Sequence, residues 1–89
     1  MFFITLARIR GKPSKEFLDL ADKAMESSPP GVKIHNVFWT LGRYDLLIVY
    51  EAPNEHEALK MGTPFSEHMA SETLVAIPRE EALKLMQPP

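Results

Sequence analysis

Arg43, Tyr44 and Asp45 stand side by side between two apolar runs, in the stretch "FWTLGRYDLLIVYEAP" from Phe38 to Pro53. A guanidinium presents a planar fork of donors that matches a carboxylate, and Tyr44 and Asp45 would orient such a guest. The triplet therefore suits an anion or an amino acid. It also suits a turn. Gly42, just before it, is free to take φ > 0, Asp45 can accept backbone N–H groups, and Tyr44 can pack over the corner. The turn reading is the stronger, because it accounts for Gly42, Tyr44 and Asp45 together and Asp45 has no acid–base partner in the sequence. Arg43 is left over, and it keeps a ligand-binding role for the corner open.

The other titratable candidates are sparse. His35, His56 and His68 are the only imidazoles, and no pair has the i, i+4 spacing of a helical zinc site. His56 lies between two glutamates and reads as solvated, and His35 belongs on a strand near Lys33. His68 falls in a linker from which it could face a cleft as an acid, a base or a ligand. Trp39, with Thr5, Asn36, Thr40 and Tyr50, is an amphipathic or polar group set in an apolar strand. Such groups make one satisfied hydrogen bond in a core or orient a guest in an apolar pocket. Met61, Phe65 and Met69 fit a soft lid or plain core filling. The candidate ligand-binding set is thus Arg43, Tyr44, Asp45, Trp39 and His68. No catalytic residue is assigned, and no metal or cofactor is expected.

Periodicity along the chain sets the strands and helices that carry these residues. Phe2 to Ile9 is a β-branched and aromatic strand. From Ser14 to about Ser27, Phe17, Leu18, Ala21, Ala24 and Met25 recur at helical spacing and form one apolar face; "SSPPG" ends that helix. Val32 to Leu41 and Asp45 to Ala52 form an antiparallel hairpin through the short "LGRY" connection. Strict alternation along the first of these strands puts Ile34 with Phe38, and Val37 with Trp39, on opposite faces. Asn54 with Glu57 has the pattern of a capping box before a second helix, with a break expected at Gly62 to Pro64. Thr73 to Ile77 is a fourth strand, and "PREEALKLMQPP" an amphipathic helical tail. The order β-α-β-β-α-β plus a C-terminal helix predicts an α+β, ferredoxin-like domain with a four-stranded antiparallel sheet.

Bulk properties set the class. At 89 residues the chain holds a single domain, one that buries roughly 60–65% of its unfolded surface. A net charge of −2 with scattered basic residues predicts no nucleic-acid partner. The absence of cysteine excludes disulfides and thiolate chemistry. "MFFITLARIR" lacks the basic region and cleavage site of a signal peptide, no apolar run approaches membrane-spanning length, and the tail's mixed polar face does not suit a membrane surface. Cytoplasmic location is the default expectation. Two helices cover only one sheet face, yet "FFITLA", "VFW" and "LLIVY" carry large apolar groups on both parities. The uncovered face predicts a homodimer or higher homo-oligomer, unless the terminal helix folds back over it.

With Trp39, Gly42, Tyr44, Asp45, Glu51, Ala52 and Pro53 in place, and "SETLVAI" after the second helix, the chain resembles the GYD-domain family of small proteins. The resemblance spans nearly the whole chain in element order and is specific at motif level from Trp39 to Pro53. It departs in the helix after "GKPS" and in "GTPFSEHMA". It implies a ferredoxin-like protomer assembled as a dimeric α/β-barrel. Wider relatives include muconolactone-isomerase-like enzymes, cofactor-light monooxygenases and the amino-acid-sensing domain of leucine-responsive regulators. Fold kinship does not choose among these. The expectation is a homo-oligomeric small-molecule-binding or accessory module, with a cofactor-independent enzyme (Asp45 or His68 handling protons) or a purely structural assembly protein as alternatives.

Overall fold

The computed structural model describes residues 1–88; Pro89, the end of the expected tail, lies outside them. The chain runs β1 (Phe2–Ile9), α1 (Lys15–Glu26), β2 (Lys33–Trp39), β3 (Leu46–Glu51), α2 (Glu55–Gly62), a 3-10 turn (Thr63–Phe65), β4 (Met69–Ala76) and α3 (Arg79–Met86). The four strands form one antiparallel sheet in the order β2-β3-β1-β4. That is the ferredoxin-like α+β arrangement.

Local chemistry sets the helix starts. The Ser14 hydroxyl accepts from the Phe17 N–H at 3.1 Å and caps α1, satisfying one of the donors that a helix start leaves free. Asn54 does the same for α2, accepting from Glu57 N–H at 3.0 Å. Only half of the expected capping box forms, because the Glu57 carboxylate turns to Lys60 at 3.0 Å instead of back to the cap. α2 stops at Gly62 as expected, and Thr63-Pro64 begin a single 3-10 turn.

Two expectations about strands are corrected. β4 begins at Met69, four residues ahead of Thr73, because Met69 to Ser71 find partners along β1 that their own composition does not announce. In β2 the register shifts between Ile34 and Asn36. This bulge inserts one residue and reverses the alternation beyond it. Ile34, Val37 and Trp39 therefore oppose Tyr50, Ile48 and Leu46 in turn, and all share the helix-covered face that strict alternation divided.

That face carries the core. Phe3, Thr5 and Ala7 of β1 are buried, whereas Phe2, Ile4 and Leu6 between them are half-buried. The buried residues fall into two clusters. One joins Phe3, Val32, Tyr50, Ala52 and Ala58, with the Phe3 and Tyr50 rings 5.7 Å apart; the other joins Ala7, Phe17, Leu46 and Met69. Ile48 packs against both.

The opposite face is open. It presents Phe2, Ile4, Leu6, Leu47 and Val49, with Phe38 and Leu74 exposed beside them. α3 does not close over it: no α3 residue is buried, and Leu83, Leu85 and Met86 are exposed. At this face His35 Nε2 lies 2.6 Å from Glu51 Oε2 and its ring stacks on Phe2.

Candidate functional site

Between the two core clusters the sheet and α1 stand apart, leaving a cavity of about 310 Å³. The sheet supplies Thr5, Ile34, Val37, Trp39, Leu46, Ile48 and Tyr50. α1 supplies Phe17, Leu18, Ala21, Ala24 and Met25, the same side chains whose spacing marks its apolar face. Met61, Gly62, Phe65, Met69 and Ser71 close the remaining side. Asp22, exposed on α1, is the sole charged residue among those lining it. The volume falls at the lower end of the range for small-molecule sites, and the mostly apolar lining with a few polar groups is their usual character.

The polar groups converge. Thr5 Oγ1 lies 2.8 Å from Thr73 Oγ1 and 3.3 Å from the Tyr50 hydroxyl, so three hydroxyls from three neighbouring strands form a chain. Register places them there: Thr5 opposes Thr73 on one side and Ile48, two residues before Tyr50, on the other. Thr5 and Tyr50 are buried, and Thr73 sits on the exposed edge strand.

The Arg43-Tyr44-Asp45 corner lies elsewhere. It closes the β2–β3 hairpin, where Thr40 N–H donates to Asp45 O at 2.9 Å and the Thr40 hydroxyl donates to Tyr44 O at 2.7 Å. Gly42 has φ +115°, in the region that disfavours any side chain. Asp45 Oδ2 accepts the Ile9 N–H of β1 at 2.8 Å, and Asp45 N–H donates to Ala7 O at 2.9 Å. The Tyr44 hydroxyl reaches Glu72 Oε2 of β4 at 3.1 Å. The corner thus fastens the hairpin to both of the other strands. Arg43 is exposed, and none of the three residues lines the cavity.

His68 is half-buried, its ring 5.8 Å from that of Phe17. It also lies outside the cavity lining. Trp39 is the member of the expected ligand-binding set that lines the cavity, with 61% of its surface still exposed. Thr5, Tyr50, Met61, Phe65 and Met69 line it too; Asn36 and Thr40 do not. Ser71 and Thr73 went unassigned by sequence as polar partners. Their alternation with Met69 in "MASET" is the signal that would have found them.

Among the described residues no group of three or more His, Cys, Asp or Glu is gathered so as to hold a metal ion. No described helix is long and apolar enough to cross a membrane.

The fold and site define a ferredoxin-like α+β domain with an apolar cavity between sheet and helices. The family model described as GYD domain matches residues 6–86, and the chain belongs to that family. Comparison with curated proteins and with solved structures returned no match.

Proposed function

We propose that this chain is a small-molecule-binding module that works as a homo-oligomer. The observation that carries the binding reading is the cavity of about 310 Å³, apolar along most of its lining and provided with converging hydroxyls. The space is partly open, and Leu18, Met25, Val37 and Trp39 along it are exposed, so an apolar guest seated there would remove these side chains from water. Binding is preferred to turnover because the candidate proton handlers, Asp45 and His68, lie outside the lining.

Assembly is supported by the open sheet face. Phe2, Ile4, Leu6, Phe38, Leu47, Val49 and Leu74 form a continuous apolar surface, and α3 leaves Leu83, Leu85 and Met86 uncovered. A twofold pairing of these faces would remove both from water at once.

Trp39 is the only tryptophan, so its emission reports on the cavity. Titration with a panel of neutral and charged metabolites should shift that emission to the blue and raise the melting temperature for at least one member. A panel that moves neither quantity refutes the binding reading, and a monomer by light scattering at working concentration refutes the assembly.

A further inference from the structure

The hydroxyl chain at the cavity wall has a consequence for the kind of molecule the site takes. Thr5, Tyr50 and Thr73 carry three hydroxyl protons and share two contacts. Each contact uses one proton, so one is left over, and it lies on Tyr50 when Thr73 donates to Thr5 and Thr5 to Tyr50. The two contacts are also unequal. The Thr5–Thr73 distance of 2.8 Å is that of a full O–H···O bond, whereas 3.3 Å from Thr5 to Tyr50 is beyond the usual limit of about 3.0 Å. The Tyr50 hydroxyl is therefore the weakly engaged member. Tyr50 is only 2% exposed and lines the cavity, so bulk solvent has little access to its hydroxyl.

Charge narrows the class. Among the described residues no lysine, arginine or histidine lines the cavity, and the one charged lining residue is Asp22. An anion entering would lose its water with no cation to replace it, a heavy penalty. A cation would find only Asp22, exposed where water and salt screen it. Volume narrows it further. An apolar cavity of about 150 Å³ holds benzene, so one of about 310 Å³ has room for roughly two rings.

We propose that the cavity takes a neutral, mainly apolar molecule of about two fused rings bearing one hydrogen-bond acceptor, a carbonyl or ether oxygen, that receives the Tyr50 hydroxyl proton. This rests on the binding reading above and specifies its ligand class.

Three two-ring probes separate the components by calorimetric titration of the intact protein. They are tetralin, a hydrocarbon; tetralone, the same skeleton with a ketone; and the tetralin carboxylate anion. The carboxylate should bind at least about tenfold more weakly than the ketone. In Tyr50→Phe the ketone should lose about fivefold in affinity, the value of one net hydrogen bond, while tetralin is unchanged. Equal loss for ketone and hydrocarbon, or a carboxylate that binds as well as the ketone, overturns the ligand class and leaves the binding reading standing. Failure of all three probes to bind the wild-type protein overturns the ligand class, while the binding reading falls only if the metabolite panel also moves neither Trp39 emission nor melting temperature. Should Tyr50→Phe unfold at the titration temperature, Thr5→Val serves instead, because it removes the long partner and keeps the phenol. Ketone affinity should then be retained or rise; a fivefold loss would put the acceptor on Thr5 and overturn the assignment to Tyr50.

Discussion

Replacing Ala21 by leucine tests the cavity through the sign of its effect. Ala21 is half-buried on α1 and lines the cavity, and leucine adds three carbon atoms toward a space of about 310 Å³. If they enter it, burial contributes up to about 2.4 kcal/mol at roughly 0.8 kcal/mol per methylene. Restricting the leucine rotamers costs about 0.5–1 kcal/mol, and helix propensity changes little between alanine and leucine. The net expectation is stabilisation of about 1 kcal/mol, or roughly 4–8 °C in melting temperature for a domain of this size. In a tightly packed layer the same change would be destabilising by about 1–3 kcal/mol, lowering the melting temperature by several degrees or more. The two outcomes differ in direction, so thermal melts followed by circular dichroism decide between them. Affinity for an apolar probe should fall in the same variant. A lowered melting temperature would show that the space between α1 and the sheet is not free, and the reasoning from cavity to ligand would fail with it.

The corner and the sheet surface yield further expectations. Asp45→Ala removes the acceptor for the Ile9 N–H and should destabilise by about 1.5–3 kcal/mol, the range for a hydrogen bond to a charged group. Asp45→Asn keeps an acceptor and should lose about half as much; urea melts showing no loss in either variant would contradict the architectural role. Gly31→Ala should be more damaging than Gly42→Ala by thermal melt. Both glycines have positive φ, but an added Cβ at Gly31 would lie 2.7 Å from Pro53 Cγ while one at Gly42 meets nothing within 4 Å. Phe38, 52% exposed on the open face, is little needed by an isolated protomer. If the open face is the proposed contact between copies, Phe38→Asp should shift light scattering toward monomer with secondary structure intact; an unchanged mass would refute pairing through that face.

Much of the fold is written in short-range patterns. Phe17, Leu18, Ala21, Ala24 and Met25 mark the inner face of α1 by spacing alone, and all of them line the cavity. Ser14 and Asn54 announce their helices because a cap is chosen within three residues. Gly42 and Asp45 signal the hairpin corner because positive φ and backbone capture are properties of single residues. Periodicity, caps and turns act over a few residues, so one chain read from end to end is enough to show them.

The cavity lining belongs to the other kind of information. The bulge after Ile34 brings that residue onto the face of Val37 and Trp39, and one added residue inverts every assignment of parity beyond it. Thr5 meets Tyr50 across 45 residues of sequence and Thr73 across 68; only strand register makes them a hydroxyl chain. The empty volume is settled last, by how far α1 stands from the sheet once two separate clusters have formed around Ile48. Short-range patterns thus announce the order of the elements and the apolar face of α1, but not the parity of β2 beyond its bulge. Register and interior volume are sums over contacts distant in the chain, so they emerge only when the strands and helices pack together.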